Sequence, residues 1–253
     1  MKVKDIMSKA HCIDKSGRIS EALDMMDKYH SRRLIVKHKD QVQGVITLRG
    51  ICGTLGSRRK YNHPPTLFHV ADAVSNDYST LGPEDDAVAA IAALKDVNCV
   101  IVVDGELVGQ VSTKDVIKHV TPDGTLSSIM KIPVIAPPDA RVSFIRKLMI
   151  DHGVSRVPIL DGRTLVGIVS ETDIAMALRG VKKHSPQARQ DNNVESMIAL
   201  DIMRTNVITG KPDMTIKVAT QLMLDNDIGA LPVINEEKNV VGMITRRDIV
   251  AAI

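Results

Sequence analysis

Gly242-Met243-Ile244-Thr245-Arg246-Arg247-Asp248-Ile249-Val250 decides how the chain is read. An apolar run ends at a hydroxyl, two residues intervene, an Asp follows, and an apolar helical pattern begins. The same layout occurs at Gly167-Ile168-Val169-Ser170-Glu171-Thr172-Asp173 and at Gly109-Gln110-Val111-Ser112-Thr113-Lys114-Asp115. A fourth copy, Gly44-Val45-Ile46-Thr47-Leu48-Arg49-Gly50, has glycine in the Asp place. Recurrence of one block through a chain marks an internal repeat, which settles the fold before any single element does.

Outward from each block the surroundings also repeat. Upstream lie two apolar runs joined by a turn, such as Val157-Pro158-Ile159-Leu160 and Leu165 to Val169 around Asp161-Gly162-Arg163. β-Branched runs joined by Gly, Asp and Asn read as hairpins. Before each hairpin, apolar residues recur at helical spacing, as at Val142, Ile145, Leu148 and Met149. A polar turn such as Pro212-Asp213-Met214-Thr215 can cap that helix. Further upstream come a short extended piece (Pro133-Val134-Ile135) and a short helical signature (Ala199-Leu200-Asp201-Ile202-Met203). The predicted unit is therefore strand, helix, strand, strand, helix. At about 60 residues one unit has a marginal core, so units should pair to bury sheets and helices. The fold class is α+β, with four β-α-β-β-α repeats packed as two tandem pairs.

Composition narrows the function. A chain 44% hydrophobic and 25% charged is typical of a folded soluble protein. A net charge of +3 is too small to argue alone for a polyanion partner. No apolar run nears the roughly 20 residues of a membrane helix, and the N-terminus lacks the pattern of a signal peptide. Cys12, Cys52 and Cys99 have neither paired nor metal-ligand spacing, which points to free thiols in a reducing cytoplasm. With no Trp, three Tyr and two Phe, the chain lacks the aromatics on which single-stranded nucleic acid stacks. Two basic connectors, Arg58-Arg59-Lys60 onward and Arg179 to Pro186 with Lys182 and Lys183, read as solvated loops. The alternative is a cationic surface for ligand phosphates or a partner. No Gly-rich phosphate loop, metal set or nucleophile–base set can be assembled.

The repeated junction has its own chemistry. First-turn amides and the helix dipole favour an anion at the strand end. The Ser or Thr adds a hydroxyl, and the Asp can accept from the two hydroxyls of a ribose diol. The bland alternative is a helix cap, and a cap and a ligand role can coexist.

The four blocks resemble cystathionine-β-synthase (CBS) motifs. The carriers are the Gly-apolar-apolar-[Ser/Thr]-x-x-Asp ending and the apolar-Pro-apolar-apolar strand before it. The boundaries are residues 1–57, 68–120, 125–180 and 196–253, with motifs 1 and 2 as the first pair and motifs 3 and 4 as the second. The resemblance implies tandem Bateman modules, often in a pseudo-symmetric disc, that regulate rather than catalyse. It implies binding of AMP, ADP, ATP, S-adenosylmethionine or methylthioadenosine, with no required cofactor and no metal. Partners would be the adenosine ligand and a second copy of the chain, as a homodimer, or a regulated protein.

The motif Asp would hold ribose and the Ser/Thr would approach phosphate. The matching positions are Ser112 with Asp115, Ser170 with Asp173, and Thr245 with Asp248, flanked by Lys114, Thr172, Arg246 and Arg247. The adenine slot would use Ile135, Val157 and Pro158 in motif 3, and Ile208, Thr209, Leu231 and Pro232 in motif 4. Gly50 implies an empty or altered motif 1 site. Motifs 1 and 2 also lack the strand Pro, so the second pair should hold the principal sites. Arg246 and Arg247 suggest a phosphorylated ligand at motif 4, and Glu171 a neutral or cationic one at motif 3. Decayed sites on a structural interaction protein, and nucleic-acid binding through the basic connectors, are the competing readings.

Overall fold

The computed structural model describes residues 1–55, 65–184 and 196–253. Motif 1 comprises α1 (Val3–Ile6), β1 (Cys12–Asp14), α2 (Ile19–Lys28), β2 (Arg33–His38), β3 (Gln41–Thr47) and α3 (Leu48–Leu55). Motif 2 comprises β4 (Val74–Ser75), β5 (Ser79–Leu81), α4 (Ala87–Asp96), β6 (Val100–Asp104), β7 (Glu106–Val111) and α5 (Thr113–His119). Motif 3 comprises α6 (Leu126–Ile129), α7 (Val142–Asp151), β8 (Arg156–Asp161), β9 (Thr164–Ser170) and α8 (Glu171–His184). Motif 4 comprises α9 (Ala199–Ile202), α10 (Ile216–Asp225), β10 (Ala230–Ile234), β11 (Val240–Thr245) and α11 (Arg246–Ala251).

The four hairpins are antiparallel and share one irregularity. The register shifts at Val36/Lys37, Val102/Val103, Ile159/Leu160 and Val233/Ile234, the same place in each motif. A shift of this kind bends the strand and re-aims the residues beyond it. The strand prolines explain a difference between motifs. In motif 1 the Ile35 amide donates to the His11 carbonyl at 2.8 Å, and β1 runs parallel to β2 for three residues. Pro158 and Pro232 stand at that place in motifs 3 and 4 and have no N–H to give. The parallel strand shrinks there to the single bridges Ala136–Ile159 and Gly210–Val233.

The chain forms two compact units. The first contains residues 1–10, 77–133 and 207–253; the second contains 11–76 and 134–206. In the first, hairpin residues Val100, Val102, Val111, Leu231, Val233 and Ile244 share a core with helix residues of motifs 2 and 4. In the second, Leu34, Val36, Ile46, Val157, Ile159 and Val169 share a core with helix residues of motifs 1 and 3. Helix α5 packs on α11 in the first, and α3 on α8 in the second. Each unit thus combines alternate motifs, whereas motifs adjacent in sequence exchange their leading segments.

That exchange explains the glycine that opens each block. Ser8 bridges Gln110 of motif 2, Lys131 bridges Met243 of motif 4, and Arg204 bridges Ile168 of motif 3. In each case the preceding Met lies over the glycine. A Cβ on Gly109, Gly167 or Gly242 would meet the sulfur of Met7, Met203 or Met130 within 3 Å. Motif 2 sends β4 onto β3 of motif 1 instead, through Val45–Ser75 and Ile46–Val74.

One basic connector differs from its expected loop form. Helix α8 continues through Arg179 to His184 rather than ending near Leu178. No Pro or Gly break falls within residues 181–184 to stop it. Arg58, Arg59, Lys60 and His63 lie outside the described residues. His69 is held by Arg18 and the Ser16 carbonyl, a structural setting. Cys52 and Cys99 are buried and Cys12 is half-buried, and none of the three is in a disulfide; burial pushes the Cys52 thiol up. No described helix is long and apolar enough to cross a membrane.

Candidate functional site

The strand–helix junctions of motifs 2, 3 and 4 are each organised by a capping box, and its geometry moves the roles expected of the hydroxyl and the Asp. The helix starts directly after the Ser or Thr, which makes that residue the N-cap and the Asp the third helical residue. In motif 4 one oxygen of Asp248 (Oδ2) accepts from the Thr245 amide at 2.8 Å and from its hydroxyl at 2.5 Å. Asp173 receives Ser170 at 2.8 and 2.5 Å, and Asp115 receives Ser112 at 2.9 and 2.6 Å. The hydroxyl proton is therefore given to the carboxylate and is not directed at a phosphate. The second oxygen of each Asp (Oδ1) remains for other donors. All three carboxylates are nearly buried, so such donors carry weight.

Two cations invisible to motif spacing reach that second oxygen. The Lys131 ammonium lies 2.6 Å from Asp248 Oδ1, and the Arg204 Nε lies 2.9 Å from Asp173 Oδ1. Both come from the leading segment sent by the other motif. In motif 2 the leading segment supplies Ser8, and Asp115 Oδ1 has the Lys118 ammonium of its own helix at 3.7 Å. A sequence signal did exist: the residue after the leading Met is Lys131 in motif 3 and Arg204 in motif 4.

The arginines expected beside the motif 4 anion face another way. Arg246 bonds to the Met223 carbonyl at 3.4 Å and Asp227 at 3.3 Å, and Arg247 donates to the Lys95 carbonyl at 3.0 Å. Lys114 is bound to Asp227 at 2.5 Å. Successive helical residues turn by about 100°, so the first two helical residues cannot share the direction of the third. Burial pushes Asp227 up, but its bonds to Lys114 and Arg246 outweigh that and leave it below the usual carboxylate range. Glu171, expected to oppose an anion at motif 3, pairs with Arg49 at 2.7 Å.

Strand alternation divides the adenine-slot candidates. Val157 and Leu231 point into the two cores, because they sit on the hairpin face that packs on helices. Pro158 and Pro232, one residue on, take the opposite face. Ile208 is partly buried against its core, Thr209 and Thr172 are half-buried, and Ile135 is exposed.

Arg156 joins Pro158 on that opposite face, directly across the hairpin from Ser170. It is 9% exposed. Its Nη1 donates to the Ser155 hydroxyl at 3.0 Å, while Nη2 is buried with no hydrogen-bond partner among the described residues. A buried guanidinium left partly unsatisfied is costly unless something supplies acceptors. The position is occupied by Arg33, Cys99 and Ala230 in the other motifs, so the repeat pattern alone did not single it out.

Motif 1 is closed by the backbone. A Cβ on Gly50 would stand 2.8 Å from the Ala73 carbonyl oxygen, and the Gly50 amide bonds the Thr47 hydroxyl at 3.1 Å. Gly50→Asp, which restores the motif on paper, is expected to lower stability by about 2 kcal/mol through overpacking. Urea denaturation would check it, and calorimetry should show no added adenosine site. A neutral or stabilising effect would mean that the β4 segment moves aside.

Four matched copies of one junction, with exchanged leading segments, agree with the comparison to known proteins. The family profile described as the CBS domain matches residues 3–56, 70–122, 126–180 and 198–253. The chain belongs to the CBS-domain family. It carries four CBS motifs in an α+β fold. It is 28% identical over 255 aligned residues to the uncharacterised protein MJ1225 of Methanocaldococcus jannaschii, covering 91% of this chain and 90% of that one. The crystal structure of MJ1225 superposes with a TM-score of 0.88 at 25% identity, over 99% of both chains. A Pyrococcus horikoshii protein of 21% identity shares the fold, with a TM-score of 0.64 over 99% of both chains. Inosine-5'-monophosphate dehydrogenase of Korarchaeum cryptofilum is 32% identical over 123 residues, which is 49% of this chain and 23% of the enzyme. That match is confined to the CBS region. Among the described residues no cluster of His, Cys, Asp and Glu could hold a metal ion.

Proposed function

We propose that this CBS protein is a non-catalytic regulatory module that binds adenosine compounds, with a phosphorylated one at motif 3. The observation that carries the reading is Arg156: a buried guanidinium, lacking a partner on one nitrogen, beside the N-terminus of a 14-residue helix. A phosphate there would satisfy the guanidinium and the first-turn amides together. Asp173 would hold the ribose, and Pro158 with Ile135 would flank the base. MJ1225, which is described as a candidate archaeal homologue of γ-AMPK, supports an adenine nucleotide over other anions. This assignment replaces the division of charge expected from sequence, because Glu171 and Arg246 are both engaged elsewhere.

Binding would bias the packing of the motifs only through unequal affinity for two arrangements, and a partner protein or second copy in the cytoplasm would read the result. Thermal denaturation tests the proposal. AMP at about 100 times its dissociation constant should stabilise the protein by roughly 2.7 kcal/mol, and adenosine should need a far higher concentration. No shift with AMP, ADP, ATP, S-adenosylmethionine or methylthioadenosine would favour a structural interaction protein. A shift with S-adenosylmethionine alone would favour the alternative ligand class.

A further inference from the structure

We infer that Lys131 and Arg204 select for anionic ligands by occupying the ribose acceptor until a ligand anion draws them away. The inference rests on the reading of the motif Asp as the ribose acceptor. A carboxylate has about four acceptor sites, two on each oxygen. In motif 4 the amide and hydroxyl of Thr245 take both sites on Oδ2 of Asp248. Lys131 takes one site on Oδ1 at 2.6 Å. One site remains, and a ribose diol needs two. Motif 3 has the same count, with Ser170 on Oδ2 of Asp173 and Arg204 on Oδ1 at 2.9 Å. In motif 2 the Lys118 contact to Asp115 is long, at 3.7 Å, and Oδ1 can take a diol without displacing a bond.

The displaced group can move without disturbing the fold. The Lys131 backbone is pinned by two hydrogen bonds to Met243, of 3.0 and 2.8 Å, while its side chain is 74% exposed. Arg204 is pinned to Ile168 in the same way, with its side chain 66% exposed. The cation end of each pair is solvated while the carboxylate end is nearly buried, so the cation can leave into water and a diol can compete for the oxygen. The displaced cation then needs a new counter-charge. A ligand phosphate on the same nucleoside supplies one within the reach of a lysine stem, and a neutral nucleoside does not. Motifs 3 and 4 therefore discriminate against neutral adenosine compounds, and motif 2 does not.

Calorimetry on the full chain tests this with motif 4 isolated by Asp115→Asn and Asp173→Asn. In that background Lys131→Met should tighten adenosine binding about tenfold and leave AMP unchanged or weaker. The preference for AMP over adenosine should fall at least tenfold. A fall of less than threefold, with binding still lost on adding Asp248→Asn, overturns the role of Lys131 and leaves the ribose reading intact. Binding that survives Asp248→Asn overturns the ribose reading and the inference with it. A background that binds neither compound does the same for motif 4.

Discussion

Arg156→Met is expected to leave the protein as stable as the wild type, or about 1 kcal/mol more stable, and to weaken AMP binding at motif 3, isolated by Asp115→Asn and Asp248→Asn, about 100-fold. Two opposite effects from one substitution separate a ligand residue from a structural one. Arg156 is 9% exposed, and of its three guanidinium nitrogens Nη2 is buried without a partner among the described residues and Nη1 has only the Ser155 hydroxyl. Replacing a buried charge by an apolar side chain of similar length is often neutral or stabilising. The binding loss comes from the other side of the same account. Hydrogen bonds to charged groups contribute about 1.5–3 kcal/mol, and about 2.7 kcal/mol corresponds to 100-fold. Urea denaturation and calorimetry give the two numbers. Lower stability with unchanged AMP affinity would make Arg156 a structural residue and remove the main support for a phosphate at motif 3.

Gly44→Val should be the most destabilising of the block-opening glycine changes, by about 3 kcal/mol or more. Gly44 has φ of +149°, a conformation that L side chains rarely adopt. A Cβ there would stand 2.6 Å from the Ser75 carbonyl oxygen and 2.7 Å from a Val74 methyl. Both atoms belong to β4, whose backbone is hydrogen-bonded to β3 and cannot give way alone. Backbone strain and overpacking each cost about 1–3 kcal/mol. Gly242→Ala makes the comparison, since its Cβ would meet the Met130 side chain, with the sulfur 2.5 Å away. A thioether can rotate, so a loss nearer 1 kcal/mol is expected there. Equal losses in urea denaturation would show that the leading segments are held alike in all motifs.

The repeat, the hairpins and the helix starts were legible because they are local. Apolar alternation, turn residues and a hydroxyl three places before an Asp act within one short segment, and four copies made the pattern visible. The strand prolines were legible as a mark of motifs 3 and 4, and their missing N–H shortens the parallel strand there. Arg246 and Arg247 stand beside Asp248 in sequence but bond elsewhere, because adjacency in sequence is not adjacency on a helix.

By itself the sequence determined four copies of one α+β unit and a hydroxyl–carboxylate pair at the start of three closing helices. Only the tertiary structure decided which charges stand at those pairs. Lys131 and Arg204 reach Asp248 and Asp173 from segments 117 and 31 residues away, and Arg156 meets Ser170 across a hairpin. Such neighbours are set by which backbone pairs with which, and that pairing is chosen by burial of whole faces rather than by any short stretch of chain.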